Sequence, residues 1–307
     1  MPQKIALVYG ALRSGTTLLR LMLDGHPALR CPGESDFLVD HLARDGTGWR
    51  YDRPALEAGR IFKASGLRYP AGADGVEAFG GFVAQIRGDA EWPVLMLHRG
   101  MERLVALAPH TRVIHLKRDP RDVARSSIGM GWAGNVWHGA SHWMATEDSW
   151  QAGSPGLTHM PLEVFYERLI AAPEAELSRI CAYLDVPYDP EMLRYPERSS
   201  YAAPDPGLTS QWKRKLSPQE IGLIEARLGD RLAAHGYVPS GHPPAQPGPL
   251  ELARLVVQNR AATLRFAARR HGWPTVLQHR LAGRAGLRGL RAAAQARIDA
   301  NDIRHLK

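Results

Sequence analysis

Three short apolar runs punctuate the chain, and each gives way to glycine, proline or charge before a helical pattern begins. The first, Ile5-Ala6-Leu7-Val8-Tyr9, is continuous rather than alternating, which predicts a strand buried on both faces, as in a parallel sheet. A glycine-bounded turn ends it. Leu18, Leu19, Leu21, Met22 and Leu23 then predict a helix that stops near Asp24-Gly25-His26-Pro27. The second run, Pro93-Val94-Leu95-Met96-Leu97, leads into a helix through Met101 to Leu107. The third, Arg112-Val113-Ile114-His115-Leu116, passes through Lys117-Arg118-Asp119-Pro120 into a helix from about Arg121. Strand, loop and helix repeated in that order predict an α/β fold, with a central parallel sheet flanked by helices in three layers. Ligands are expected at the carboxyl ends of the strands.

Outside these units the pattern is less regular. Residues 40–92 mix helical and loop character and read as an insertion near the site. Val164-Phe165-Tyr166-Glu167 precedes a helix through Glu174 to Leu184, and Ser217-Pro218-Gln219-Glu220 has the form of a capping box opening another helix. Five prolines between Pro239 and Pro249 mark a linker. The sequence therefore divides into a catalytic domain over 1–238, a proline-rich linker over 239–250 and a basic helical extension over 251–307. There is no internal repeat.

At 307 residues and 44% hydrophobic, the chain can bury a substantial core. It enters its first strand directly after Met1-Pro2-Gln3-Lys4, and no apolar run approaches twenty residues. The expectation is a cytoplasmic protein, or one peripheral to a membrane. Cys31 and Cys181 are too few for a disulfide framework and too far apart for a paired zinc site, so they are expected to be buried or semi-buried thiols. The net charge of +8 is concentrated: residues 251–307 hold eleven Arg and one Lys against three acids, leaving the rest close to neutral. A case for polyanion binding rests on that stretch alone, and no nucleic-acid partner is expected.

Gly10-Ala11-Leu12-Arg13-Ser14-Gly15-Thr16-Thr17 lies where backbone N–H groups and a helix start can cradle a phosphate. The glycine spacing is that of a nucleoside-triphosphate loop, but Thr16 fills the position of the lysine that contacts the β and γ phosphates. Arg13 supplies a cation inside the loop instead. A donor with a short 5′ phosphosulfate needs charge at its bridging oxygen and has no γ-phosphate to hold.

Arg13-Ser14-Gly15-Thr16-Thr17 resembles the 5′-phosphosulfate loop of the sulfotransferases that use 3′-phosphoadenosine 5′-phosphosulfate. Val113 through Ser126 resembles that family's 3′-phosphate motif. The resemblance spans about Ile5 to Tyr237 and implies the sulfotransferase version of the phosphate-loop nucleotidase fold. It assigns Arg13, Ser14, Gly15, Thr16 and Thr17 to the donor's 5′ end. Arg118 and Ser126, eight residues apart, are assigned to the 3′ phosphate, where an arginine fork gives directional, charge-assisted bonds. Read without the resemblance, Arg118-Asp119 and Arg121-Asp122 would be surface ion pairs. Tyr166 is similar to a tyrosine near the adenine, and a core tyrosine is the alternative. Gln211-Trp212-Lys213 resembles a late loop that closes over the nucleotide, making Trp212 and Lys213 cofactor-binding candidates. Thr209-Ser210-Gln211 stands where many members have glycine and aspartate.

Sulfuryl transfer needs an in-line acceptor oxygen, a base for its proton and positive charge at the leaving phosphate; no metal is required in that scheme. Arg13 can carry the charge, and the product would be adenosine 3′,5′-bisphosphate. Glu34 is the favoured base, because the spacing from Arg13 through His26-Pro27 to Glu34 resembles the tyrosylprotein-sulfating branch. The alternative is that Glu34 caps the helix at Phe37-Leu38-Val39. His98, at a strand end, is the second candidate base, and His26 reads as a turn residue. Trp132, Trp137, Trp143 and Trp150, with His138 and His142, suit either an acceptor pocket or a helical lid packed on the core. The acceptor, a hydroxyl or amine of a carbohydrate, lipid, peptide or small molecule, is not legible.

The arginines from Arg254 to Arg297 alternate with Leu, Val and Ala as in amphipathic helices. These can lie on an anionic membrane, hold a polyanion, or pack on the domain. Two other functions compete with sulfuryl transfer: a small-molecule kinase, and a catalytically silent nucleotide- or polyanion-binding protein.

Overall fold

The computed structural model describes residues 4–46 and 48–305. The opening Met1–Gln3, Thr47 and the last two positions of the basic extension, Leu306 and Lys307, lie outside them. The chain groups into two compact units, residues 1–123 with 142–214, and residues 124–141 with 215–307. This grouping cuts the chain elsewhere than the changes in composition do.

The strands are β1 (Ala6–Tyr9), β2 (Leu29–Arg30), β3 (Leu42–Asp45), β4 (Gly48–Tyr51), β5 (Trp92–Leu97), β6 (Arg112–Lys117) and β7 (Leu162–Phe165). Five of them form a parallel sheet in the order β2-β5-β1-β6-β7, with Leu7 paired to Leu95 on one side and Val113 on the other. β3 and β4 form a separate antiparallel pair. The continuous apolar runs follow from this placement, because each inner strand feeds two cores. Ala6, Val8, Val94, Met96, Ile114 and Leu116 face one cluster, which includes Leu19, Met22 and Leu23 of helix α1 (Thr16–Leu23). Leu7, Tyr9, Leu95, Leu97 and Val113 face the other, with Phe79, Phe82 and Val83 of α2 (Gly75–Arg87) and Leu104 of α3 (Met101–Leu107). Burying both faces removes the need for polar alternation.

Beyond β6, α4 runs Pro120–Gly129, its first turn in the first unit and the remainder in the second. α5 (Ser141–Gly153), α6 (Tyr166–Ala171) and α7 (Pro173–Tyr183) follow. Residues 40–92, expected as mixed helix and loop, contain the β3–β4 pair and α2.

In the second unit, α8 (Pro218–Leu228) opens with the capping box: Ser217 Oγ accepts the Glu220 N–H and the Glu220 carboxylate accepts the Ser217 N–H. Residues 237–248 carry no helix or strand, yet the Ala245 N–H donates to the Gly222 carbonyl at 3.1 Å, which lays this proline-rich stretch against α8. α9 (Pro249–His271) is fixed to the 124–141 segment. The Gly134 N–H donates to Asn259 Oδ1 at 2.7 Å and Asn135 Nδ2 to the Leu255 carbonyl at 2.8 Å. α10 (Trp273–Arg284) and α11 (Arg288–His305) complete the unit. Among the described residues, no helix is long and apolar enough to cross a membrane.

Candidate active site

Because the five strands are parallel, their carboxyl ends share one edge, and each delivers a residue singled out above. The Arg13–Thr17 loop follows β1, Glu34 follows β2, His98 ends β5, Arg118 ends β6 and Tyr166 ends β7. A doubly wound sheet takes its ligands at this edge.

The loop after β1 is held close. A Cβ at Gly10 would lie 2.5 Å from the Leu116 carbonyl oxygen. At Gly15, φ is 92° and a Cβ would lie 2.3 Å from Cδ2 of the Tyr166 ring, so glycine is required for both its conformation and its bareness. Arg13 also takes a left-handed φ of 72°. The N–H groups that open α1 lack intrahelical acceptors by construction. Beside them, Ser14 Oγ is buried without a hydrogen-bond partner among the described residues. A buried hydroxyl of this kind fits a loop shaped for an anion's oxygens. Burial pulls the Arg13 guanidinium below its ordinary value; Tyr201 opposes the fall and the nearby charge of Arg118 adds to it. Two guanidiniums held this close favour an anionic ligand.

Arg118 joins the two motifs. Its Nη1 donates to the Arg13 carbonyl at 2.9 Å and its Nη2 to the Leu208 carbonyl at 2.9 Å, while the guanidinium lies 4.1 Å from the centre of the Tyr166 ring. Its Nε is buried and has no hydrogen-bond partner among the described residues. Tyr166 therefore touches the glycine of the first motif and the arginine of the second.

The neighbouring charges are not surface pairs. Arg121 and Asp119 are both buried and bonded to each other at 2.7 and 2.9 Å, and the Arg121 guanidinium lies 3.7 Å from the Trp212 ring centre. Asp122, its carboxyl raised chiefly by burial, accepts the backbone N–H of Trp212 at 2.8 Å and of Gln211 at 3.3 Å. The tryptophan-lysine segment is thus tied to the Arg118 motif, with Trp212 buried and Lys213 exposed. Within Thr209-Ser210-Gln211, the stretch that stands where many members of the resembled family have glycine and aspartate, Ser210 adopts a left-handed φ of 48°, a conformation that favours glycine. Ser126 is half-buried on α4, in the part of that helix that belongs to the second unit.

Asp36 is a site residue that the pattern did not reveal. Its carboxylate accepts the His98 backbone N–H at 2.8 Å and pairs with His98 Nδ1 at 2.7 Å. His98 Nε2 lies 3.3 Å from Thr16 Oγ1, at the start of α1. Burial pushes the Asp36 carboxyl up, but the bond from the His98 ring, the charges of His98 and Arg99 and the His98 N–H together hold it below the usual carboxylate range. When the ring is neutral, a carboxylate on Nδ1 favours the proton there, which turns the Nε2 lone pair to the loop. Asp36 looks like a helix cap in sequence, preceding the one-turn helix Phe37–Asp40, yet it makes no side-chain capping bond. Glu34 is exposed on the same loop.

The tryptophans of the aromatic segment are divided between the two units. Trp143 is buried, and Trp150 stacks on the buried His115 with ring centres 4.0 Å apart. In the second unit, Trp137 lies under the Arg227 guanidinium at 4.8 Å. His26 is the turn residue its sequence suggests, with Nε2 on the Pro187 carbonyl at 2.7 Å and Nδ1 accepting the Ala28 N–H. Cys31 and Cys181 are buried free thiols, pushed up by burial to about 12 and about 11. Among the described residues, no cluster of three or more His, Cys, Asp or Glu could hold a metal.

The sequence pattern of the sulfotransferase family matches residues 6–190, which include the Arg13 loop, Glu34, Asp36, His98, Arg118 and Tyr166. The chain belongs to this family. This sulfotransferase is 27% identical over 279 residues to protein-tyrosine sulfotransferase A of Caenorhabditis elegans, an alignment covering 79% of this chain and 70% of that one. It is 26% identical over 285 residues to protein-tyrosine sulfotransferase 1 of Danio rerio, covering 81% and 77%. The fold matches the sulfotransferase domain of the Synechococcus PCC 7002 olefin synthase with a TM-score of 0.56 at 22% identity, over 75% of this chain and 96% of that domain. The chain is accordingly an enzyme of sulfuryl transfer to a hydroxyl acceptor, and the kinase alternative is not favoured.

Proposed function

We propose that the sulfotransferase takes its sulfuryl group from 3′-phosphoadenosine 5′-phosphosulfate and passes it in line to the hydroxyl of a protein tyrosine. The observation that carries the donor assignment is the contact between motifs: Arg118 bonded to the Arg13 carbonyl, with Tyr166 against Gly15. The α1 amides, the orphaned Ser14 hydroxyl, Thr16 and Thr17 meet the phosphosulfate end. Arg118 meets the 3′ phosphate, whose anionic oxygens are stronger acceptors than the neutral carbonyls it bonds here. Lys213 offers a second cation to that phosphate.

In the transfer step the acceptor oxygen bonds to sulfur as the bond from sulfur to the bridging oxygen breaks. Adenosine 3′,5′-bisphosphate leaves with the electron pair, and Arg13 compensates the charge that develops there. His98 takes the acceptor proton on Nε2, and Asp36 holds its tautomer and orientation. Glu34, the base that the sequence favoured, becomes the alternative here, its exposed carboxylate on the loop after β2 being open to an incoming acceptor. The names of the two relatives support tyrosine as the acceptor.

Incubation with sulfur-labelled donor and a tyrosine-bearing peptide tests this reading. Label should appear on the peptide, disappear when its tyrosine is replaced by phenylalanine, and fall far more with His98→Gln than with Glu34→Gln. Labelling that survives His98→Gln and is lost with Glu34→Gln would move the base to Glu34. Absence of label on every hydroxyl acceptor offered would overturn the donor assignment.

A further inference from the structure

The second unit carries a surface made of none of the residues assigned above to sulfuryl transfer. No acidic residue occurs between Glu251 and Asp299, although ten arginines do. The acids that follow are engaged with the unit itself: Asp302 pairs with Arg270 at 3.0 Å, and Asp299 accepts a bond from Gln295 at 2.9 Å. Arg280, Arg284, Arg288 and Arg291 are exposed and belong to no ion pair among the described residues.

The apolar side chains of α10 are distributed in an unusual way. Val276 and Ala282 are buried, so that face packs inward. The opposite face should be polar. Instead it presents Trp273, Leu277 and Leu281 at four-residue spacing, 49%, 46% and 59% exposed. Arg280 and Arg284, at i+3 from the two leucines, lie on the same face. Leu287 and Leu290 continue the exposed apolar positions past the helix, 50% and 51% open. Single exposed leucines are ordinary, but a row of them with a tryptophan and uncompensated cations is not.

We propose that this face of α10 docks on an anionic phospholipid surface. The arginines provide attraction to headgroup phosphates, and Trp273, Leu277 and Leu281 enter the boundary between headgroups and acyl chains. The leucines decide between a bilayer and a soluble polyanion, since an acidic polysaccharide offers arginine a partner and leucine none. None of these residues is among those assigned to the donor.

The test uses the full chain, sedimented with vesicles of phosphatidylcholine alone and of phosphatidylcholine with one-third phosphatidylglycerol, beside retention on heparin. The protein should pellet with the anionic vesicles only. Arg280→Gln with Arg284→Gln should lower that partitioning about thirtyfold, and Leu277→Ser with Leu281→Ser about tenfold, the latter leaving heparin retention unchanged. Both variants should keep the wild-type thermal shift with adenosine 3′,5′-bisphosphate, which separates loss of docking from loss of fold. Failure to pellet with anionic vesicles would overturn the proposal. So would pelleting that is indifferent to the leucine variant, which would make the surface a polyanion site. Labelled transfer to a soluble peptide is unaffected by either result, so this idea and the donor assignment fail separately.

Discussion

Asp36 accepts hydrogen bonds from the Nδ1–H and the backbone N–H of His98, and the depressed carboxyl that results has two measurable consequences. Asp36→Asn should lower kcat about 10- to 100-fold while moving the donor KM less than about threefold, and should shift the pH profile of kcat. A purely structural role would lower Tm without moving that profile. A carboxyl held below its unfolded value stabilises the fold at neutral pH, and this contribution is lost as pH falls through the folded value. The wild type should therefore lose Tm in acid relative to Asp36→Asn, in melts followed from pH 7 to pH 3. His98 was legible because it ends an apolar strand. Asp36 was not, because an aspartate ahead of Phe37-Leu38-Val39 has the form of a cap, and only the tertiary approach of β5 turns it to the histidine. Gly15→Ala joins a φ of 92° to a clash with Tyr166. It should cost about 2–3 kcal/mol in denaturant unfolding and abolish donor binding.

Helices and strands were readable where one simple requirement set their pattern. β1, β5 and β6 are buried on both faces, so their apolar runs fall within a residue or two of the strand ends. The Ser217–Glu220 box is a local code needing no partner. Ser217→Ala should cost about 1 kcal/mol, seen as a Tm decrease of a few degrees. The β3–β4 pair escaped because Ala43, Arg44 and Asp45 are exposed and leave no apolar alternation to detect. The tie between Asp122 and the Gln211–Trp212 amides joins segments about ninety residues apart. Asp122→Ala should free the Trp212–Lys213 segment, which limited proteolysis would report as faster cleavage there, with weaker binding of adenosine 3′,5′-bisphosphate.

Two short motifs separated by about a hundred residues meet in the first unit because β1 and β6 are parallel neighbours, so that their exit loops share an edge. Sequence spacing displays both motifs but not their contact; Arg118 bonding to the Arg13 carbonyl supplies it. The acceptor stayed illegible because flat aromatic residues suit a pocket and core packing equally, so the tryptophan-rich segment does not choose between them. Calorimetry with adenosine 3′,5′-bisphosphate and with adenosine 5′-monophosphate, on wild type and Arg118→Ala, isolates the 3′ phosphate from Arg118's part in holding the loop. The bisphosphate should bind the wild type more tightly than the monophosphate. Arg118→Ala should remove that advantage, about a hundredfold in Kd, while leaving monophosphate binding nearly unchanged. Equal affinity of wild type and variant for the bisphosphate, or equal losses for both nucleotides, would contradict a single nucleotide gripped at both ends by these motifs.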